Sequence, residues 1–556
     1  MSIGELLLEK GLITAEHLAE ALSMRKKTGQ RLDKTLMELG CVNEEQILAA
    51  ISEQLGIPMV DLSTVEIDVE TLRSLPPKLV YRRGLVPIQK DNGTLRLATS
   101  DPFDLYSFDE VRMLTGMEIQ PVLAPSEEIQ KVIKTHYGVG GETIDEMMDS
   151  ADVEVIGGED GENEDLLEMA QEASVIKLVN EVFLEAIKER ATDVHIEPYE
   201  RELKIRYRVD GVLQETIMPE QVRRFQAAII SRIKIMSHLN IAEKRLPQDG
   251  RIQLQVGNRA FDVRVSVIPM LYGEGVVMRL LDHSTVQYTL TDLGMAADTL
   301  EVFHQLILRP HGIILVTGPT GSGKTTTLYA ALQEIVSPAI KVLTVEDPVE
   351  YHLDGVNQIQ VAPKIGLTFA RGLRHIVRHD PDVIMIGEIR DLETADAAVQ
   401  SALTGHLVFS TLHTNDACSS ATRLLDMGME PFLVTSTVEA AMAQRLVRTI
   451  CPDCKEPYQP DPAQMPRDFH YAEGETLWRG KGCRKCRQTG YYGRTGLFEL
   501  MVTSERIREN IMSRLAAGKI LATAKAEGLR LLREDGWVKV RQGITTVEEV
   551  TRATKA

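Results

Sequence analysis

One segment of the sequence has the residue types and spacing of a phosphate-binding loop. Residues 318–325, Gly-Pro-Thr-Gly-Ser-Gly-Lys-Thr, fit G-x-x-x-x-G-K-[ST] and lie between the apolar run Ile313–Thr317 and a helical segment from Thr326. In this context backbone N–H groups surround the β-phosphate of a nucleotide, Lys324 reaches the β- and γ-phosphates, and Thr325 binds Mg²⁺. A chance glycine-rich turn is the alternative. The predicted nucleotide-binding residues are Gly318, Pro319, Thr320, Gly321, Ser322, Gly323, Lys324, Thr325 and Thr326.

Two acidic clusters follow apolar runs further along the chain. Glu346 and Asp347 come directly after Val342–Val345, and Glu388 comes shortly after Val383–Ile386. The carboxyl ends of parallel strands meet at one edge of a sheet, where carboxylates can hold a metal-bound water or orient the attacking water. We expect Glu388 to polarise water and Glu346 to be a second carboxylate near the metal. A solvated acid at a strand end is the alternative for each.

Two histidines, His406 and His413, flank the apolar run Leu407–Leu412. A histidine at the sheet edge could sense the γ-phosphate of a bound nucleotide. A core histidine that bonds to backbone is the structural alternative, and the sequence leaves both interpretations open.

The cysteines form a second chemical motif. Two C-x-x-C pairs, with 28 residues between them, consist of Cys451, Cys454, Cys483 and Cys486. Four thiolates in this arrangement predict tetrahedral coordination of structural Zn²⁺. A redox role is the alternative, but neither pair follows a thioredoxin-like strand and opens a helix. The other two cysteines, Cys41 and Cys418, are expected only to pack.

The composition is that of a globular protein and argues against several other classes of protein. The chain has 43% hydrophobic and 26% charged residues, as in ordinary globular proteins. It has no apolar run of about 18 residues, so we expect no transmembrane helix. Its N-terminus lacks the pattern of a secretory signal, and six cysteines are too few for a disulfide scaffold, which favours a cytoplasmic location. The formal net charge of −19 argues against a nucleic-acid partner.

Changes in composition also predict the domain organisation. Between Thr135 and Ile176 there is no Lys or Arg but thirteen Asp and Glu, which indicates a flexible acidic linker. The predicted regions are a helical tandem-repeat module at 1–57, an α/β subdomain at 58–137, the linker at 138–170, an α+β domain at 171–290, and a nucleotide-binding domain at 291–556 that includes a zinc-binding insertion at 451–486.

Periodicity places these regions in fold classes. Residues 3–11 align with residues 32–40 at an offset of 29, which predicts two helix pairs packed on each other. A strand is expected at Leu95–Thr99, a helix at Ala173–Ala191 and a half-buried strand at Leu203–Val209. In the nucleotide-binding domain, continuous apolar runs alternate with helical segments, which is typical of an α/β fold with a buried parallel sheet. The strands predicted there are Ile313–Thr317, Val342–Val345, Val383–Ile386 and Leu407–Leu412.

Beyond these single motifs, the sequence resembles the ATPases that power type II secretion and type IV pilus extension, over nearly its whole length. Residues 344–350, Thr-Val-Glu-Asp-Pro-Val-Glu, are similar to the aspartate box of that family. Residues 387–391, Gly-Glu-Ile-Arg-Asp, resemble its second nucleotide motif, and residues 404–416 resemble its histidine box. The four-cysteine insertion is also characteristic of the family.

The resemblance implies a RecA-like ATPase core that uses ATP and Mg²⁺. It further implies a homohexamer, peripherally associated with the inner face of the cytoplasmic membrane, that acts on an inner-membrane platform protein. The N-terminal module would dock on a membrane-anchored partner. The segments 262–266, 273–274, 278–282, 445–452 and 489–496 favour type II secretion, that is, pseudopilus assembly and protein export. Type IV pilus extension is the alternative, a nucleic-acid translocase is a remote one, and a nucleotide-binding scaffold without turnover is a third.

The N-terminal duplication has a resemblance of its own. Some family members bind cyclic di-GMP through tandem 24-residue motifs that open with Arg-Leu-Gly and close on Gln. Residues 2–25 and 31–54 fit these lengths, but Asp33 replaces the glycine of the second copy, and Ser2 replaces the arginine of the first. A carboxylate beside an anionic ligand and a missing arginine both weaken binding. We therefore favour a partner-docking module over a cyclic di-GMP site.

Several arginines are candidates for the positive charge that γ-phosphate transfer requires in its transition state, which a neighbouring subunit often supplies. By resemblance to the family, Arg264 and Arg279 are expected near the nucleotide as catalytic residues. Arg374 and Arg378, predicted on one side of a helix, are expected at a subunit boundary. Arg206 and Arg208, on one face of a strand, complete the set.

Overall fold

The computed structural model describes residues 3–28, 31–62, 65, 67–91, 93–137, 173–216, 218–257, 259–282, 288–472 and 474–554. Its contacts divide the chain into two compact units, Met1–Asp282 and His283–Ala556. The predicted acidic linker, 138–170, lies outside the described residues. No helix in the described ranges is long and apolar enough to cross a bilayer.

The first unit begins with four helices, as the duplicated pattern predicts: α1 (Ile3–Glu9), α2 (Ala15–Thr28), α3 (Leu32–Glu38) and α4 (Glu44–Leu55). Helix α1 packs on α4, and α2 packs on α3. The Asn43 side chain accepts a hydrogen bond from the Gln46 backbone, and the Gln46 side chain accepts one from the Asn43 backbone. This capping box fixes the start of α4.

A small mixed sheet follows. Its elements are α5 (Val69–Leu72), α6 (Pro77–Arg83), β1 (Val86–Asp91), β2 (Thr94–Thr99), α7 (Leu105–Thr115), β3 (Glu118–Leu123) and α8 (Ser126–Tyr137). The order is β1-β2-β3, with β1 antiparallel and β3 parallel to the predicted strand β2. Leu123 packs with the core of the preceding helices, so the predicted division at 57/58 is not matched by a complete separation of the two cores.

The rest of the first unit is a fully antiparallel sheet with two long helices. Its elements are α9 (Ala173–Lys188), β4 (Asp193–Pro198), β5 (Leu203–Val209), β6 (Val212–Thr216), α10 (Gln226–Met236), β7 (Gln248–Val256), β8 (Arg259–Met270) and β9 (Gly273–Asp282), with a 3-10 helix at Glu220–Phe225. The order is β6-β5-β4-β9-β8-β7. Apolar residues of α9 and α10 share one core with alternate residues of the strands.

The second unit is built on a seven-stranded sheet. The order is β12-β11-β13-β14-β10-β15-β18, and every pair is parallel except β15 with β18. The strands are β10 (Gly312–Thr317), β11 (Val342–Glu346), β12 (Val356–Gln360), β13 (Val383–Ile386), β14 (Leu407–Leu412), β15 (Val438–Ile450) and β18 (Tyr491–Val502). A separate pair, β16 (Lys455–Tyr458) and β17 (Leu477–Gly480), lies between the cysteine pairs.

Helices cover both faces of this sheet. They are α11 (Ala297–Ile307), α12 (Lys324–Ile335), α13 (Phe369–Ile376), α14 (Leu392–Leu403), α15 (Ser419–Asp426), α16 (Pro431–Thr437), α17 (Glu505–Met512), α18 (Ala517–Ala526), α19 (Leu532–Arg541) and α20 (Val547–Ala553). In β10, Ile313 and Leu315 join one core and Ile314 and Val316 join the other. Burial on both faces explains why these strands read as continuous apolar runs. The predicted α/β fold class is confirmed.

Candidate functional site

The phosphate loop connects the buried strand β10 to helix α12 and spans residues 318–323. Gly323 precedes the helix with φ of +86°, and a Cβ there would lie 2.8 Å from the Gln444 side chain, so only glycine fits. No side chain caps the start of α12. Its first backbone N–H groups are therefore available to an anion, as a phosphate site requires.

The predicted lysine and hydroxyl groups lie at this loop. Lys324 Nζ donates to the carbonyl oxygens of Gly318 and Pro319 at 2.9 and 3.0 Å. Burial lowers the pKa of Lys324, the charge of Glu388 raises it, and the charge of Arg445 lowers it further. Thr325 Oγ1 has no hydrogen-bond partner in the described part of the chain, and Ser322 Oγ is buried without one. These groups fit a nucleotide phosphate with a divalent cation, because both supply the polar partners that the loop lacks.

Glu388 follows β13, which lies two strands from β10 in the sheet. Neighbouring strands are about 4.8 Å apart, so about 10 Å separates the two strands. The Glu388 side chain is 13% exposed, and its two carboxylate oxygens contact one arginine and one histidine. Arg390 Nη2 lies 2.5 Å from Oε1, and His413 Nε2 lies 3.2 Å from Oε2.

Glu346 occupies a different environment at the end of β11. This strand lies three strands from β10, or about 14 Å. The carboxylate is buried, and it accepts hydrogen bonds from Thr344 Oγ1 at 2.5 Å, from Gln358 Nε2 at 3.2 Å and from the Tyr329 hydroxyl. Burial raises the pKa of Glu346, while these three donors lower it. Both oxygens thus have partners within the protein, and its predicted place near the metal stays a prediction.

Sequence reasoning missed Tyr329 and Gln358 around Glu346, and Arg390 and Arg445 around the loop. Arg390 lies two residues from Glu388 in the second nucleotide motif, and Arg445 opens the segment 445–452 that resembles the family, but neither was given a role in the site. Tyr329 lies on a helix and reads as an apolar core residue, and its hydroxyl also accepts from the Glu350 backbone at 3.4 Å. Such contacts join distant elements and leave no spacing in the sequence.

The structure separates the two histidines. His406 precedes β14 and therefore lies at the edge opposite the phosphate loop, where Nδ1 contacts Ser401 O at 2.8 Å. This is the backbone-bonded histidine of the structural alternative. His413 follows β14 at the loop edge and contacts Glu388. Only His413 is placed where a phosphate sensor would have to be.

The arginines predicted to act between subunits belong to both units. Registers of the antiparallel sheet put Arg208, Asp193, Arg279, Arg264 and Arg251 directly opposite one another in one row across five strands. Arg279 Nε donates to Asp193 at 3.0 Å. Side chains directly opposite lie about 5 Å apart, so this row gathers four cations around one carboxylate.

The other predicted arginines lie outside this row. Arg206 Nη2 donates to Glu197 at 2.7 Å, and Arg374 Nη2 donates to Glu393 at 2.6 Å. The expectation that Arg374 and Arg378 share one helix is wrong. Helix α13 ends at Ile376, and Arg378 lies in the 3-10 turn Val377–His379, because Pro381 soon disfavours helical continuation.

The four predicted cysteines lie together, with Sγ atoms all within 4.8 Å of one another, and none forms a disulfide. Three of the S···S distances are 3.7 Å. A tetrahedral ion 2.3 Å from each sulfur separates the sulfurs by about 3.8 Å. Burial would raise the pKa of Cys486, but backbone donors at Cys483 and Gly490 bring it to about 7. The cluster therefore fits a tetrahedral metal ion.

At the N-terminus, Arg31 opens the second of the tandem copies. Its guanidinium donates to Asp33 at 2.7 Å and to Asp101 at 2.6 Å, and it lies over the Phe103 ring at 4.4 Å. Two carboxylates of the protein thus already neutralise the arginine that a cyclic dinucleotide would need.

Comparison with known proteins identifies the relatives of this chain. The family described as Type II/IV secretion system protein matches residues 168–552, and the MshEN domain matches residues 55–143. The chain is 54% identical over 493 residues to the Type II secretion system ATPase E of Vibrio cholerae, covering 87% of this chain and 97% of that protein. It is 41% identical over 555 residues to the Type IV pilus assembly ATPase PilB of Myxococcus xanthus, covering 99% and 98%.

Among solved structures, the Legionella pneumophila ATPase DotB matches with a TM-score of 0.51 at 22% identity, covering 67% of this chain and 94% of that chain. The likeness at this identity shows the fold. Together with the parallel sheet and the phosphate loop, it defines a RecA-like P-loop ATPase core. The chain belongs to the family of type II/IV secretion system proteins. The family and the secretion-ATPase activity predicted from the sequence are confirmed.

Proposed function

We propose that this chain hydrolyses ATP at residues 318–326 to drive pseudopilus assembly and protein export in a type II secretion system. The observation that carries the proposal is the phosphate loop with Lys324 at the sheet edge that also presents Glu388. The names of relatives support the choice of system, since the Vibrio cholerae protein and a Xanthomonas campestris protein, 45% identical over 560 residues, are both type II secretion proteins. The pilus ATPase of Myxococcus xanthus supports pilus extension as the alternative.

Within this proposal the residues divide the work. Lys324 leaves the loop carbonyls and neutralises charge on the β- and γ-phosphates. Glu388 orients the attacking water and takes its proton, while Arg390 and His413 position the carboxylate. Mg²⁺, held beside Thr325, would supply further positive charge at the phosphates.

The choice between secretion and pilus extension can be tested in the source bacterium. Replacing the chromosomal copy with a Lys324→Ala version should leave exported enzymes inside the cell and surface pili unchanged. Loss of pili with normal export would assign the chain to pilus extension instead.

The cysteine cluster is proposed to hold one structural Zn²⁺ per chain. Four thiolates with the spacing of a tetrahedron favour zinc, and no water or substrate position is left open. Elemental analysis of protein purified under reducing conditions should find one zinc per chain, and Cys454→Ser should lose the metal and destabilise the C-terminal region. Metal-free wild-type protein would contradict the proposal.

We further propose a homohexamer at the inner face of the cytoplasmic membrane, in which Arg279 and Arg264 act on the nucleotide of a neighbour. The row of arginines in the antiparallel sheet supports this, because it places four arginines on neighbouring strands, with Arg264 directly opposite Arg279. Mixing Arg279→Ala chains with Lys324→Ala chains, each inactive alone, should restore activity at interfaces with both intact residues. No recovery after confirmed subunit exchange would oppose action between subunits.

The N-terminal region is proposed to dock on a membrane-anchored partner of the secretion machine and, through it, near the platform protein. Cyclic di-GMP is not favoured as a ligand, since Asp33 and Asp101 already bind Arg31. Micromolar binding of cyclic di-GMP by calorimetry would contradict this. No nucleic-acid partner is proposed, and salt-dependent DNA binding would overturn that assignment.

A further inference from the structure

Arg445 lies beside the phosphate loop and has no role in the site described so far. It belongs to β15, the parallel neighbour of β10, in which Ala443 is opposite Thr317. Arg445 therefore lies just beyond the point where β10 turns into the loop. Its Nη1 atom is 3.1 Å from the position that a Cβ on Gly318 would occupy. A cation thus touches the first residue of the loop from within the same chain.

Within the described part of the chain, the guanidinium of Arg445 is held only by neutral oxygens. Nη1 donates to Gln444 O at 3.0 Å, and Nη2 donates to Asn415 O at 3.0 Å and to its Oδ1 at 3.4 Å. Among the described residues no carboxylate oxygen lies within 4.0 Å of it, whereas the half-buried Arg448, three residues on, is paired with Glu549 at 2.7 Å. At least two of the five N–H groups of Arg445 are left for another acceptor.

This position is costly without a negatively charged ligand. Burial lowers the pKa of Arg445, against the more distant charges of Glu499 and Asp416. A partly desolvated cation is stable only when an anion or strong acceptors replace its water. The loop beside Arg445 has the features of an anion site. A phosphate bound there would therefore supply the negative charge that Arg445 lacks.

The position of Lys324 indicates which phosphate group of a bound nucleotide would lie near Arg445. Its Nζ rests on the carbonyl oxygens of Gly318 and Pro319, at the end of the loop where Arg445 lies. The lysine of such a loop reaches the β- and γ-phosphates. We propose that Arg445 binds the γ-phosphate of ATP in its own chain and so distinguishes ATP from ADP. This rests on the ATPase activity of the family and is separate from any arginine supplied by a neighbour.

The test compares the affinities of full-length protein for a non-hydrolysable ATP analogue and for ADP. Arg445→Gln should weaken binding of the analogue by about tenfold to a hundredfold, as expected for loss of a charged hydrogen bond, and change ADP affinity less than threefold. Arg445→Lys, which keeps the charge, should recover part of the difference. Arg467→Gln removes the same charge from an exposed position and should change neither affinity.

Two outcomes would overturn the assignment. If Arg445→Gln weakens both nucleotides equally, or neither, the arginine only ties β15 to Asn415. If the preference for the ATP analogue depends on Arg445 only at protein concentrations where chains assemble, the contact is made to a neighbour's nucleotide. A thermal melt of each variant accompanies the binding data, and should Arg445→Gln not fold, Arg445→Lys alone must still lower the ATP-to-ADP affinity ratio.

Discussion

Two glutamates lie at the ends of neighbouring parallel strands, at the same edge of one sheet, yet their surroundings differ. Glu388 follows β13, is partly exposed and is paired with Arg390 and His413. Glu346 ends β11, is buried and is held by Thr344, Gln358 and Tyr329, none of which is charged. The charge of Glu388 also raises the pKa of Lys324, against the effect of burial.

The difference shows that position at a strand end does not define a role. A carboxylate that takes part in hydrolysis must stay ionised and must reach a water, and its partners must be able to release it. Glu388 can meet the last two conditions, since its side chain is partly exposed and its partners Arg390 and His413 are more exposed than it is. Glu346 accepts from three neutral donors, one of which is Tyr329 of α12, and this suits a structural residue. We therefore expect the chemistry to depend far more on Glu388.

The largest effect is expected for Lys324→Ala. This variant removes the phosphate-binding cation, which is needed whichever of the two glutamates acts in hydrolysis. ATP hydrolysis should fall below detection and nucleotide affinity should drop about tenfold or more, because the charge of the phosphates is then left uncompensated. Steady-state phosphate release and fluorescent-nucleotide binding measure the two effects. Retained turnover would mean that residues 318–326 are not the active site.

Glu388→Gln should lower kcat by about 10²–10⁴ while ATP remains bound, because an amide of the same size cannot accept a proton from water. Single-turnover hydrolysis separates this from a defect in binding. Near wild-type turnover would break the comparison and pass the role to another acid of the edge.

Glu346→Gln should reduce kcat by less than about tenfold, with a loss of stability of about 1–3 kcal/mol. The amide nitrogen faces a hydroxyl or amide donor at one of its contacts, and this leaves a buried donor unsatisfied. Chemical denaturation and kcat, measured on the same preparation, would distinguish a structural from a catalytic effect. A loss of turnover as large as that of Glu388→Gln would make the two carboxylates equivalent after all.

The features that could be predicted from the sequence are those formed by residues adjacent in the chain. Strands β10, β11, β13 and β14, residues 318–325 and the cysteine pairs are contiguous patterns, and the structure has them where they were expected. The other three strands of the large sheet, β12, β15 and β18, were not predicted. The environment of Glu346 depends on Tyr329 and Gln358, which reach it from separate elements. The end of α13 before Arg378 depends on a local turn near Pro381 that helical periodicity does not register.

The smallest expected effect is in the pH dependence of stability, and it tests the buried state of Glu346 directly. Burial raises the pKa of this carboxyl above its ordinary value of 4.5. A raised pKa means that the folded state binds the proton more tightly than the unfolded state, so the contribution to stability is full below about pH 4.5 and is lost as pH rises through the higher folded value. Wild-type protein should therefore lose stability relative to Glu346→Gln over the weakly acidic range just above pH 4.5.

A second variant, Tyr329→Phe, removes a donor that favours the ionised form of Glu346. The stability of Tyr329→Phe should therefore continue to fall to a higher pH than that of the wild type. Parallel denaturant titrations of the three proteins between pH 4 and 7 provide the comparison. A stability difference between wild type and Glu346→Gln that is independent of pH would show that folding does not change the pKa of this carboxyl. A wild-type stability that instead rises with pH would show that the folded state favours the ionised form, which would return Glu346 to consideration as a second acid of the site.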